Sequence, residues 1–112
     1  RYYEQQMLAP VKYLAYSSGQ TKFVPPPDRM YIESTNICNL KCVMCPTGRG
    51  EVVRPKGFMD FEVFKQIVDE MAPYVKATTL HIWGEPLLHK RIIDMGAYCS
   101  EKGLRSEIST NA

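Results

Sequence analysis

Apolar residues between Met59 and Val75 recur at Phe61, Phe64, Ile67, Val68 and Met71, the three-and-four spacing of one helix face. Asp60 stands where an N-cap is needed, and Pro73 where the helix must stop. A second pattern fills Lys90–Gly103, with Ile92, Ile93, Met95, Gly96 and Cys99 predicted on its buried side and Gly103 as its C-terminal cap. Around these helices lie Met30–Ser34, Ala77–Trp83 and Leu104–Thr110, short runs that read as strands. The alternation strand, helix, strand, helix, strand predicts an α/β fold (βαβαβ) with parallel strands and right-handed crossovers. The C-terminal ends of parallel strands share one edge. The segments after the three strands, a cysteine-rich loop, Gly84–Pro86 and Thr110–Ala112, are therefore predicted to meet where such folds place their sites.

Residues 1–20 allow a helix with Tyr3, Met7, Val11 and Leu14 on one side and a break at Pro10. Pro25–Pro27 reads as a stiff connector. Residues 1–28 are thus expected to be an N-terminal extension and connector, and 29–112 the α/β portion. No internal repeat is read. Composition changes this picture little, since 45% hydrophobic and 23% charged residues are ordinary for a globular chain. A net charge of +2 gives no ground for nucleic acid or an anionic membrane as partner. No apolar run reaches membrane-spanning length, and the N-terminal residues lack a signal-peptide layout. The expected location is cytoplasmic, where thiols stay reduced.

The cysteines change the picture more. Of four in 112 residues, Cys38, Cys42 and Cys45 crowd one loop with spacing C-x3-C-x2-C, and Cys99 sits on a predicted helix. Three neighbouring cysteines cannot all pair with one another, and a reducing compartment disfavours a disulfide. Structural zinc takes four protein ligands, and neither Cys99 nor His81 has the paired spacing of a zinc ribbon. A 4Fe–4S cube takes thiolates on its irons, so three cysteines leave one iron open to a small molecule.

The segment "CNLKCVMC" resembles the cluster loop of the radical S-adenosylmethionine (SAM) enzymes. The resemblance continues through "GFMDFEVFKQIVDEM", similar to the first helix of the subgroup that carries C-terminal SPASM or twitch extensions. "WGEPLLH" is similar to the family's Gly-Gly-Glu-Pro segment, and "STNA" to its Thr-Asn-Gly. The match covers about residues 30–112. It implies the first half of a partial (β/α)6 TIM-like barrel, so the stretch is expected to be an incomplete piece of a larger domain. It also implies a 4Fe–4S cluster on Cys38, Cys42 and Cys45, with SAM chelating the fourth iron. An electron from the cluster would cleave SAM to methionine and a 5′-deoxyadenosyl radical, which abstracts hydrogen from a substrate. That substrate would be a peptide, a protein or a sugar-like natural-product precursor, and the electron would come from a flavodoxin or ferredoxin type of donor. A glycyl-radical activase and a non-catalytic iron–sulfur or zinc-binding module are the other readings.

For SAM binding the resemblance implies Met44 near the adenine, Gly84, Glu85 and Pro86 receiving the methionine ammonium through backbone oxygens and the Glu85 carboxylate, and Thr110 and Asn111 from the third strand. Plain packing for Met44, a strand-to-helix turn for Gly84–Pro86 and a turn signal for Thr110–Asn111 stand beside those roles. Trp83 replaces the first glycine of the common motif. Pro86 is expected to hold Glu85 extended and to keep that turn from becoming helical. Cys99 reads as a core thiol, and His81 and His89 as structural or solvent-exposed. Lys41, Arg49, Arg54 and Lys56 read as a solvated basic loop.

Overall fold

The computed structural model describes residues 2–19 and 26–112, with side chains from residue 9 onward. Pro25 and the side chains of Tyr3 and Met7 lie outside the described residues. The elements are α1 (Tyr2–Ser17), β1 (Arg29–Tyr31), α2 (Phe61–Met71), β2 (Ala77–Thr79), a short 3-10 turn (Pro86–Leu88), α3 (Ile92–Glu101) and β3 (Arg105–Glu107). The strands form one parallel sheet in the order β1-β2-β3, with Arg29 beside Ala77 and Ala77 beside Arg105. The predicted alternation and parallel pairing are therefore present.

Both predicted helices form where their signals lie. Asp60 caps α2 by accepting hydrogen bonds from the Glu62 and Val63 backbone N–H groups at 2.8 and 3.1 Å. Gly103 follows α3 in the left-handed region at φ 75°. Ile32, Phe64, Val68, Val75, Leu80, Ile92, Met95, Cys99 and Leu104 make one core between helices and sheet. Each large apolar side chain buried there contributes about 1.5–3 kcal/mol. Ile93 departs from expectation: it is 74% exposed. It lies with Leu80, Ile92, Gly96, Ala97, Ser106 and Ile108 around an open apolar hollow beside β3. Helical spacing itself accounts for this, since Ile93 is about 100° round α3 from Ile92 and off the buried stripe of Ile92, Met95 and Cys99.

The strands are shorter than predicted. The ladder continues one step beyond them, through Ile32 N–H to the Thr79 carbonyl (2.8 Å) and Leu80 N–H to the Glu107 carbonyl (2.9 Å). After that the backbone turns to loop partners. Trp83 N–H, for example, donates to Glu33 Oε1 at 3.1 Å instead of to a strand.

The break expected at Pro10 does not occur, because α1 runs through it to Ser17. Proline forgoes one intrahelical bond, and its fixed φ suits a helix. Val11 and Leu14 are exposed, while Ala15 is buried, so the described part of α1 does not bury the side the spacing suggested. Pro86 also differs in part from expectation. Glu85 is extended, at φ −91° and ψ 108°, but Pro86 opens a 3-10 turn directly after it. Proline suits a first helical position because its missing N–H has no partner there in any case.

Candidate functional site

The cysteine loop is held at its base by short polar side chains. Ser34 Oγ donates to the Leu80 carbonyl at 2.8 Å, and Thr35 Oγ1 to the Gly57 carbonyl at 2.8 Å. Asn36 Nδ2 donates to the Pro55 carbonyl at 2.9 Å, and Asn36 Oδ1 accepts Gly57 N–H at 2.8 Å. Met59 N–H closes the loop onto the Ser34 carbonyl at 2.8 Å. Within the loop, Cys45 N–H donates to the Cys42 carbonyl at 3.1 Å, and turns follow through Gly50. A Cβ at Gly48 would lie 2.6 Å from the Cys42 backbone nitrogen, so only glycine lets these turns pack against Cys42. All the cysteines are free; Cys38 and Cys45 are half-buried, Cys42 is exposed and Cys99 is buried.

The segment after β2 lies directly on this loop. Glu85 N–H donates to the Ile37 carbonyl at 2.8 Å, and Cys45 Sγ approaches the Trp83 carbonyl at 3.9 Å. A Cβ on Gly84 would overlap the Thr35 carbonyl and come within 3.1 Å of the Ile37 carbonyl. The close approach that glycine permits here is thus between two backbone segments of this chain.

Glu85 is 4% exposed. Its carboxylate accepts from Leu87 N–H (2.9 Å), Thr110 Oγ1 (2.6 Å) and Asn111 N–H (2.8 Å). Burial pushes the carboxyl upward, but the hydrogen bonds from Asn111, Thr110 and Leu87 outweigh it, so it lies below its ordinary value. This side chain ties the end of β2 to the segment after β3. Asn111 Nδ2 in turn donates to Asn39 Oδ1 at 3.1 Å and reaches Cys38 Sγ at 3.8 Å.

Cys38, Cys45, Gly84, Glu85, Thr110 and Asn111 therefore gather at the C-terminal edge of the sheet, and Pro86 is buried beside them. Met44, 84% exposed, and Cys42 stand out towards solvent. Ala112 takes φ 51°, the left-handed region, at the position where the family motif has glycine. His81 Nδ1 accepts Ser109 N–H at 3.0 Å. His89 is buried, with Nε2 2.9 Å from the Met59 carbonyl and Nδ1 accepting Arg91 N–H. Burial pushes the Cys99 thiol up to about 11, as befits a core residue rather than a ligand. Of the basic loop residues, Arg49 pairs with Glu51 at 2.5 Å and Arg54 pairs with Glu33.

Ser34, Thr35 and Asn36 carry much of this architecture, yet composition and periodicity did not single them out. A signal was present. Ser-Thr-Asn occurs after the first strand at 34–36 and again after the third at 109–111, and these residue types bond readily to nearby backbone.

The donor set suits an iron–sulfur centre. It offers three free thiols on one loop, and the Cys38 sulfur also receives Leu40 N–H at 3.4 Å. Among the described residues, no three Cys, His, Asp or Glu side chains converge as a cage for a single metal ion. None of the described helices is long and apolar enough to cross a membrane.

Residues 32–112 match the radical SAM superfamily. The chain is 35% identical over 77 residues to Fe-coproporphyrin III synthase of Methanosarcina barkeri, covering 69% of this chain and 19% of that protein. It is 33% identical over 84 residues to the tungsten-containing aldehyde ferredoxin oxidoreductase cofactor-modifying protein of Pyrococcus furiosus, covering 73% and 23%. The chain thus spans about a fifth of the length of the curated relatives it matches. The crystal structure of BtrN in complex with AdoMet and 2-DOIA superposes with a TM-score of 0.65 at 26% identity, over 75% of this chain and 35% of that one. Streptococcus suis SuiB bound to S-adenosylmethionine superposes with a TM-score of 0.68 at 20% identity, over 98% and 25%. The partial TIM-like barrel fold implied by the sequence is shared with these structures, and the family they represent uses a 4Fe–4S cluster and SAM. With its thiol-bearing loop locked against the segments after β2 and β3, this chain belongs to the radical SAM superfamily.

Proposed function

We propose that residues 29–112 form the N-terminal portion of a radical SAM catalytic core in which Cys38, Cys42 and Cys45 hold the 4Fe–4S cluster, residues 1–28 being an extension to it. The observation that carries this reading is the meeting of three strand-end segments around free thiols, with Glu85 bonded to both neighbouring segments. When bound, the cluster and SAM supply reductive cleavage of a carbon–sulfur bond, giving methionine and a 5′-deoxyadenosyl radical that takes hydrogen from the substrate. The chain's own residues fix the positions. Gly84 lets its segment lie against the loop, and Glu85 uses its carboxylate internally. The backbone carbonyls beside Gly84 and of Thr110 and Asn111 would then be the groups available to the SAM methionine moiety. Met44, exposed on the same loop as the cysteines, would meet the adenine.

The substrate is a small molecule or a peptide. Relatives named for haem and coproporphyrin synthesis and for cofactor modification favour a small molecule or cofactor precursor. The electron donor is of flavodoxin or ferredoxin type, no nucleic acid takes part, and the protein works in the cytoplasm. Residues beyond these 112 would supply the rest of the barrel and any SPASM-type extension.

The test is anaerobic reconstitution of the intact protein, followed by measurement of iron, sulfide and 5′-deoxyadenosine formed from SAM under reduction. Cys38→Ala, Cys42→Ala and Cys45→Ala should each abolish product, and Cys99→Ala should leave it largely intact. Stoichiometric zinc without cluster or 5′-deoxyadenosine would overturn the reading.

A further inference from the structure

We propose that Asn111 is a positioning residue of the cysteine centre, donating an N–H···S hydrogen bond to Cys38 while Glu85 holds it in place. The loop thiols have different surroundings. Cys38 Sγ receives two N–H donors, Leu40 at 3.4 Å and Asn111 Nδ2 at 3.8 Å. Cys45 Sγ faces an acceptor, the Trp83 carbonyl, at 3.9 Å. Cys42 is exposed, with no hydrogen-bond partner to its sulfur among the described residues.

The Asn111 amide is held from two directions. Asn111 Nδ2 also donates to Asn39 Oδ1 at 3.1 Å, and Asn111 backbone N–H donates to Glu85 Oε2 at 2.8 Å. Glu85 is itself bonded through its N–H to the Ile37 carbonyl at 2.8 Å, one residue before Cys38. The buried carboxylate thus holds the donor and the backbone beside its acceptor in one frame.

An N–H donor draws negative charge from a ligating sulfur, so it favours the reduced, more negative form of a cluster and raises its reduction potential. The inference rests on the cluster reading above and directs the Asn111 side chain to sulfur, while its backbone N–H and the Thr110 hydroxyl stay with Glu85.

The test is a redox titration of the reconstituted intact protein, followed by electron paramagnetic resonance (EPR). Asn111→Leu should bind the same iron and sulfide but be reduced at a more negative potential, and Asn111→Gln should recover part of the shift. An unchanged potential in Asn111→Leu overturns the proposal. If that variant takes up no cluster, the cluster-free proteins are labelled with iodoacetamide and the modified cysteines mapped by mass spectrometry. Cys38 labelling should then fall several-fold relative to Cys42, and an unchanged ratio overturns the contact. A wild-type protein that never binds a cluster defeats the cluster reading, and the labelling ratio still decides the inference.

Discussion

The layer between helices and sheet and the edge that carries the cysteine loop are stabilised by different means. In the first, Phe64, Val68, Leu80, Met95 and Cys99 fill a core whose members come from α2, α3 and the sheet. In the second, Ser34, Thr35, Asn36 and Glu85 are buried polar residues, each satisfied by backbone groups of another segment. The apolar layer tolerates exchange between side chains of similar volume, because its attraction is non-directional. The polar edge does not, because a lost partner leaves a buried donor or acceptor unpaired. The cysteines divide the same way: Cys99 is buried and held protonated, while three others stand at the edge. Strength resides in the layer, and placement of the chemistry resides in the edge.

The contrast breaks first at Phe64. Phe64→Ala should cost about 3–5 kcal/mol of stability by denaturant titration, since a fully buried ring leaves a cavity. It should lower iron uptake only to the extent that protein unfolds; loss of iron from a fully folded variant would contradict the division. Gly84→Val should do the reverse. Forcing a side chain against the Thr35 and Ile37 carbonyls costs about 1–3 kcal/mol and displaces the loop. Iron content should fall while far-ultraviolet circular dichroism stays unchanged, and full iron content would refute the packing role.

These two regions were not equally legible in the sequence. Helical periodicity identified Phe64, Val68, Met95 and Cys99 as interior, because apolar burial leaves a repeat that can be read without a structure. Ile93 is misplaced in that reading, since it stands about 100° round α3 from Ile92 and so off the stripe of Ile92, Met95 and Cys99. The cysteine spacing marked the loop. The inward use of the Glu85 carboxylate was hidden, because its partners Thr110 and Asn111 lie 25 and 26 residues away. Non-local polar pairing leaves no periodic trace. Pro10 misled for a related reason: proline disfavours a helix interior, but one lost bond did not end α1.

One kind of substitution sharpens the contrast, because its sign should change between regions. Thr35→Val removes a donor to Gly57 and an acceptor for Ile37 N–H, and should cost about 1–3 kcal/mol. Glu85 gives the edge a pH dependence that the core lacks. Its folded pKa lies below its unfolded value, so the unfolded chain takes up the proton first. The stabilisation is full above the ordinary carboxylate value of 4.5 and is lost as pH falls through the lower folded value. Glu85→Gln should flatten this part of the acid-stability curve; an unchanged slope would mean the carboxylate is not held as described. The smallest effect is expected at Thr78, a buried residue whose hydroxyl has no partner among the described residues. Thr78→Val should raise stability by about 1 kcal/mol, the opposite sign to Thr35→Val.

In the proposed centre the loop thiols hold a cluster with an iron open to SAM. This is tested most directly by EPR of the intact protein, reconstituted and reduced without oxygen, before and after SAM is added. A 4Fe–4S signal should appear that changes on addition of SAM and is missing in Cys42→Ala. A spectrum indifferent to SAM, or one that survives loss of Cys42 unaltered, would contradict it.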